Sequence, residues 1–417
     1  MRSTILVIGG GPVGVCCAYS LARAGAAVTL IEREGAVCPA VSAAHGNCGL
    51  IAPSEAVPLA APGVLARGMR WMLRSSSPFH VTPRLSPSLA RWLWLFRASC
   101  DDAGSQSRMP SLRELHVASA ALHDELGREH GGSWGYHRNG LLEICETGSG
   151  LEGLAVEVRL ARRHGVDAEE LAPAAVRERF PGLCCDVAGG FFFPEDAHLD
   201  PLLFTGAVAQ LAADAGAEMR TGVEALAIEA SSTSAVRVLT TRGAMDVGQV
   251  VLAAGVWTPA LVRGLGLRLP VEPAKGYSIE VTRPDDFGEV PVLLGEASTV
   301  LTPLGDMLRI GSTLELSGWD MSVRPQRVAQ LQGVAARAAG PRAAGPVRRV
   351  WRGPRPLSPD GLPFVGRCPG HENVIVAAGH CMLGLSLGPI TGELVTGFAD
   401  GSRPSLDLEP LSPGRFG

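Results

Sequence analysis

Residues 4–32 read TILVIGGGPVGVCCAYSLARAGAAVTLIE, and the order of residue types within them decides the fold. TILVI (4–8) is a short β-branched and apolar run, the composition of a parallel strand buried on both faces. Gly9, Gly11 and Gly14 follow at GxGxxG spacing, and PVGVCCAYSLARAG reads as a helix ending at Gly25. A second run, AVTLIE, closes on Glu32, eighteen residues after Gly14. Strand, glycine turn, helix, strand and acid in this order make a dinucleotide-binding βαβ unit. Gly9 makes the tight turn, Gly11 lets a pyrophosphate approach the backbone, and Gly14 lets the helix pack closely on the strand. The helix start at Pro12 and Val13 offers free N–H groups and partial positive charge to phosphates. Glu32 would accept hydrogen bonds from ribose hydroxyls and repel a 2′-phosphate.

A nicotinamide enzyme would continue with further strand–helix units. This chain instead enters SAAHGNCGLIAP (42–53), whose small residues suit close passage of a bulky cofactor along the backbone. A second glycine-rich junction, NVIVAAGHCMLGLSLGPITGELV (373–395), reads as a strand to Ala378, a loop with Gly379, Gly384 and Gly388, and a helix with Pro389 in its first turn. Two such sites at opposite ends of the chain imply one extended ligand gripped at both ends, and FAD fits. The second helix N-terminus would sit at the flavin pyrimidine ring and stabilise the anion formed on reduction.

Composition sets the outer bounds. The chain has 417 residues, 46% hydrophobic and 19% charged, with a formal net charge of −4. That length is enough for two units with ample core, and no overall basic field points to nucleic acid. The ten cysteines are scattered, with no CxxC pair and no Cys/His cluster at metal-ligand spacing, so no metal is expected. Reduced thiols and the absence of an 18-residue apolar run lead to the expectation of a cytoplasmic protein, with contact at the inner face of the membrane left open.

With both glycine sites and the stretch WRGPRPLSPDGLPFVG (351–366) in hand, the chain resembles the D-amino acid oxidase superfamily. Within it, the chain is most similar to the bacterial D-amino acid dehydrogenases of small-subunit type. SAAHGNCGLIAP, VEPAKGYS (271–278) and NVIVAAGHCMLGLSLG carry the likeness, and APGVLARGMRWMLR (61–74) and GGFFFPEDAHLDPLLF (189–204) extend it. The resemblance implies an α/β fold: a Rossmann-like FAD-binding unit from 1–70, 196–268 and 346–417, interleaved with an α+β substrate unit from 71–195 and 269–345 carrying a mostly antiparallel sheet. Strands are expected at 140–145, 276–282, 298–305 and 307–316, and helices at 108–128, 151–164 and 324–339. Arg33, Ser42, Ala43, Asn47, Gly49, Leu50 and Ile51 would follow the fingerprint along the FAD. Val223, Ala254, Gly255 and Trp257 would line its middle, and Gly353, Met382, Leu383, Leu385 and Ser386 would join Gly379 and Gly384 at the flavin. The sarcosine-oxidase branch has its flavin-linking cysteine where this chain has Gly353, so non-covalent FAD is expected, with His45 as the alternative attachment point.

Four residues are candidates for chemistry. In this superfamily the arginine at the position of Arg355 binds the substrate carboxylate. A planar fork on a stiff Gly-Pro-Arg-Pro frame suits that task; pairing with Asp360 is the structural alternative. Tyr277 and Lys275 share one face of a strand. Tyr277 would hydrogen-bond the substrate carboxylate or close the flavin face, with packing in the sheet as the alternative. Lys275 would place an ammonium beside the flavin, with a solvated face as the alternative. His380 would orient the second glycine loop or tune the flavin. The expected reaction is hydride transfer from the α-carbon of a D-amino acid, cyclic ones such as D-proline included, to flavin N5. Electrons would pass to an acceptor other than NAD, a quinone or another carrier. An oxidase of glycine or sarcosine using O₂, and a non-catalytic FAD subunit of an opine-oxidising complex, are the alternatives. Two aromatic-basic stretches, RGMRWMLR (67–74) and RWLWLF (91–96), read either as membrane contacts or as packing.

Overall fold

The computed structural model describes residues 4–61, 64, 79–230, 236–402 and 406–417. The fingerprint folds as its pattern dictates. Strand Thr4–Ile8 is buried beyond its first residue, helix Pro12–Arg23 begins at a proline, and strand Ala27–Glu32 pairs in parallel with the first strand. They form the centre of a six-stranded sheet with the order Phe364–Cys368, His371–Ala378, Gln249–Leu252, Thr4–Ile8, Ala27–Glu32, Glu218–Thr221. Every pairing in it is parallel except that of the first two strands. Helices Pro12–Arg23, Pro201–Asp214 and Gly388–Asp400 share one core with it. Gly388 and Gly392 allow the closest of these approaches, because a Cβ on Gly392 would lie 2.7 Å from the Cys16 carbonyl oxygen. A small antiparallel sheet, Ala225–Ala230, Val236–Thr240 and Gly243–Val247, flanks the nucleotide side.

A nine-stranded sheet makes the second half, centred on the long strands Glu272–Thr282 and Met307–Leu316. Its pairings are antiparallel apart from Val292–Leu294 with Leu141–Cys145 and Met307–Leu316 with Phe79–Val81. The helices expected at 108–128, 151–164 and 324–339 are Asp102–His130, Gly148–Arg162 and Pro325–Ala339.

The stiff Gly-Pro-Arg-Pro frame around Arg355 lies within strand Arg349–Leu357, and the turn comes only after it. Among the described residues its one partner strand is Glu272–Thr282, with a single bridge from Leu357 to His380 on the other side, so Pro354 and Pro356 sit at the edge of the sheet, where a missing N–H costs least. It also belongs to the nine-stranded sheet, although a boundary at 346 would assign it to the cofactor unit. Of the aromatic-basic stretches, 67–74 lies outside the described residues. The other lies in helix Pro87–Ser99, where Trp92 is buried and donates its indole N–H to the Leu357 carbonyl at 2.9 Å, while Trp94 is exposed.

Candidate functional site

The parallel strands end at one cleft. Gly9, Arg33, Ala253 and Gly379, each immediately beyond the C-terminal end of a strand, all line a cavity of about 320 Å³. Open parallel sheets bind ligands at this edge, because helix N-termini converge there. No side chain caps helix Pro12–Arg23, leaving its first turn open to the cleft.

The glycines divide the work in ways the structure makes specific. Gly9 has φ +115°, and a Cβ there would lie 2.5 Å from the Ala253 carbonyl oxygen. A Cβ on Gly14 would lie 1.9 Å from the Gly9 carbonyl, so Gly14 serves packing and does not line the cavity. At Gly11 a Cβ would meet only Ser42 Oγ, at 3.8 Å; its absence keeps the floor of the cleft open. Gly10, not singled out in the sequence, donates its N–H to Glu32 Oε2 at 2.6 Å, while Glu32 Oε1 accepts from the Glu34 N–H at 2.9 Å. The acid is therefore held by backbone at the cavity wall, with lone pairs left for hydroxyls. Nearby, the Arg33 guanidinium lies 4.5 Å from the Trp257 ring centroid, and Val223 donates to the Glu32 carbonyl at 2.9 Å.

Pro12, Val13, Ser42, Ala43, Asn47, Val223, Ala254, Gly255 and Trp257 also line the cavity. Asn47 pins its loop, accepting from the Gly49 N–H at 2.7 Å and donating to the Met382 carbonyl at 3.2 Å. Arg309, missed in the sequence, donates to the Asn47 carbonyl at 2.8 Å while paired with Glu280. Gly49, Leu50 and Ile51 turn away from the cavity: Leu50–Ile51 pairs with Ala197–His198, and a Cβ on Gly49 would meet the Leu199 carbonyl at 2.0 Å. Gly353 also turns away, as its missing Cβ makes room for the Trp351 ring. At the second glycine loop, Gly379, His380, Met382, Gly384 and Leu385 line the cavity. Leu383 packs into the core instead. Ser386 faces helix Asp102–His130, where Ser119 Oγ donates to its carbonyl at 2.6 Å.

Of the four chemical candidates, Arg355 and His380 reach the cavity and Lys275 and Tyr277 do not. The strand register explains the split. Arg355 stands opposite Ala274, and Lys275 opposite Pro354, so alternation sends Lys275 and Tyr277 to the other face. Tyr277 is wholly buried and donates to the Ser322 carbonyl at 3.1 Å. Lys275, also wholly buried rather than solvated, meets Glu315 at 3.4 Å and Asp320 at 3.5 Å. Asp360 is no partner of Arg355; it takes a bidentate pair from Arg415 at 2.8 and 3.0 Å.

Arg355 is held by backbone alone. Its Nη1 donates to the Thr313 carbonyl at 2.5 Å, and no carboxylate pairs with it among the described residues. Thr313 has φ +71°, at an irregularity where the strands slip register between Lys275 and Tyr277. This local strain turns its carbonyl toward the guanidinium. Gly276 completes the seat, since a Cβ there would lie 2.5 Å from Arg355 Cζ. Burial pushes the Arg355 pKa below its ordinary value, with the Cys48 thiol opposing. Burial likewise lowers His380 to about 3, so its imidazole is neutral at ordinary pH. Thr391 donates its hydroxyl to the Leu387 carbonyl at 2.7 Å, so the His380 Nε2 at 3.0 Å is the donor to Thr391 Oγ1.

The family model for DAO, described as FAD dependent oxidoreductase, matches residues 4–397. The chain belongs to the DAO family. A protein named D-amino acid dehydrogenase from Rhizorhabdus wittichii is 32% identical over 417 residues, covering 99% of this chain and 100% of that one. One of the same name from a Methylobacterium species is 33% identical over 422 residues, covering 99% of each. Among solved structures, glycine oxidase from Geobacillus kaustophilus superposes with a TM-score of 0.80 at 25% identity, covering 99% of both chains. L-proline dehydrogenase from P. horikoshii gives 0.75 at 21% identity, covering 100% of this chain and 98% of that one, a likeness of fold. As a DAO-family oxidoreductase the protein uses FAD, and the cleft fits it: glycine turns without side chains, an uncapped helix start, and a carboxylate fixed at the nucleotide end.

Proposed function

We propose that this DAO-family protein oxidises D-amino acids, small cyclic ones such as D-proline included, and passes the electrons to an acceptor other than NAD. The observation that carries the reading is Arg355: a buried guanidinium at the cleft wall, seated on Gly276 and the Thr313 carbonyl, with no carboxylate partner among the described residues. A buried cation without a counter-ion is costly, and a ligand carboxylate would supply one in bidentate geometry. Bound FAD would supply the two-electron acceptor for the substrate's α-carbon. The residues around it orient and exclude. Gly9, Gly11, Glu32 and the start of helix Pro12–Arg23 would hold the nucleotide; Gly379, Met382, Gly384 and Leu385 would meet the flavin. Arg355 would fix the carboxylate and hence the direction of the α-carbon, which is where positioning contributes most. His380 holds its Nε2 proton on Thr391 and is uncharged, so it acts as a support of the loop and not as a proton acceptor at that nitrogen. The names carried by the relatives favour the D-series.

No helix among the described residues is long and apolar enough to cross a membrane. The acceptor is open to a direct test. Anaerobic mixing of the FAD-loaded protein with D-, L-, N-methyl and cyclic amino acids should bleach the flavin absorbance with D-amino acids and not with their L-enantiomers. Re-oxidation should be fast with a quinone analogue and slow with O₂. Bleaching by glycine or sarcosine with stoichiometric peroxide would replace the dehydrogenase reading by an oxidase, and no bleaching by any amino acid would refute both.

A further inference from the structure

Lys275 and Tyr277, turned away from the cleft, converge on one loop. Lys275 Nζ donates to the Ser322 carbonyl at 3.1 Å and meets the Asp320 carboxylate; the Tyr277 hydroxyl donates to the same Ser322 carbonyl. Arg352 Nε adds a bond to the Met321 carbonyl at 3.0 Å, and Asp320 Oδ1 accepts the Ser322 N–H at 2.9 Å. Asp320 is held at about 2, chiefly by the Ser322 hydrogen bonds and then by Lys275, so the anchor is charged at any ordinary pH. Three side chains from two strands thus fix a loop that follows strand Met307–Leu316 and has little apolar burial of its own.

That loop carries Trp319, which is 58% exposed. Its ring lies 5.8 Å from the ring of Trp257, tilted by 34°. Trp257 lines the cleft, and the Arg33 guanidinium lies over it at 4.5 Å. The stack Arg33–Trp257–Trp319 therefore starts just beyond a strand of the six-stranded sheet and ends on a loop of the nine-stranded one. It crosses the rim of the cleft at the end where Glu32 sits.

We infer that Trp319 is a positioning residue for cofactor retention: with Trp257 and Arg33 it latches the rim over the adenosine half of FAD, and Lys275, Tyr277 and Asp320 set the latch. The inference rests on FAD occupying the cleft and is independent of which substrate is oxidised. Dilution of the FAD-loaded protein, followed by the rise of free-flavin fluorescence, gives the release rate directly. Trp319→Ala should release FAD about 3- to 10-fold faster, the range expected for one aromatic pair and its cation–π neighbour. Trp319→Phe should restore most of the retention, because a ring still covers Trp257. Asp320→Asn, which weakens the exposed end of the anchor, should fall between the two. The melting temperature of the FAD-free protein should be the same for the two Trp319 variants and for the unmodified chain. Release from Trp319→Ala at the unmodified rate would overturn the latch, and so would faster release matched by an equal loss of stability without FAD.

Discussion

Two cations stand on paired neighbouring strands and have opposite fates. Arg355 faces the cleft, where a strained threonine carbonyl and a missing Cβ seat it and, among the described residues, no carboxylate answers it. Lys275, across the sheet, is enclosed by Glu315 and Asp320, and Glu315 is paired again with Arg327 at 2.8 Å. Both are buried, and what separates them is the counter-ion. A buried charge satisfied within the chain is structural, whereas one without an anion among the described residues is a candidate ligand site. Arginine also suits the open position, because its rigid fork matches a carboxylate while a lysine presents a point charge.

The largest test of this contrast removes the open cation. Arg355→Ala should raise KM for carboxylate substrates by about two to three orders of magnitude, the scale of losing one partner of a buried charge pair. FAD should stay bound, as the flavin absorbance of the purified variant would show. Arg355→Lys should recover only part of the loss. The converse substitution, Lys275→Met, leaves Glu315 with Arg327 and the more distant Arg324 and should cost about 3 kcal/mol in urea unfolding, with KM close to that of the unmodified protein. If Lys275→Met instead raised KM as steeply as Arg355→Ala, the two cations would not have separate duties.

A smaller effect concerns His380, which sits at the same end of the cleft but is no cation at all. Its folded pKa, about 3, lies below the ordinary 6.5, so between these values the unfolded chain binds the proton and the folded one does not. Its contribution to stability is intact above pH 6.5 and is lost as pH falls toward 3, at about 1.4 kcal/mol per pH unit once well below 6.5. His116 at about 3 and His123 at about 4 act in the same sense. Glu143, raised to about 8 mainly by burial, acts oppositely, stabilising below 4.5 and losing that contribution as pH rises through 8. His380→Asn should therefore flatten the fall in melting temperature between pH 6.5 and 5 without abolishing it. It should leave no new ionisation in the pH profile of kcat/KM near 6.5.

Much of this was legible in the sequence, for reasons that are local. Gly9, Gly11, Gly14 and Glu32 are fixed by a turn, a helix start and a strand end within one stretch of chain, and period and glycine spacing report such geometry directly. The second loop was legible for the same reason at Gly379 and Gly384. Ser386 and Leu383 were not, because their direction depends on helix Asp102–His130, whose Ser119 is far away in sequence. Gly49, Leu50 and Ile51 look like cofactor-loop residues but answer to Leu199, His198 and Ala197, contacts from far along the chain that leave no local mark, and Gly353 makes room for the Trp351 ring.

The sequence by itself determined the nucleotide-binding fold, the two glycine loops that line one cleft, and Arg355 as the cation to watch. Alternation even placed Lys275 and Tyr277 together on one face. Which face looks into the cleft depends on the register of strand Glu272–Thr282 against Arg349–Leu357, and a shift of one residue would exchange the two sets. Only the tertiary structure supplies that register, because it is set by hydrogen bonds between segments far apart in the chain. The same is true of the partner that claims Asp360: Arg415, 55 residues further along the chain, takes its carboxylate, so Asp360 is not the counter-ion of Arg355.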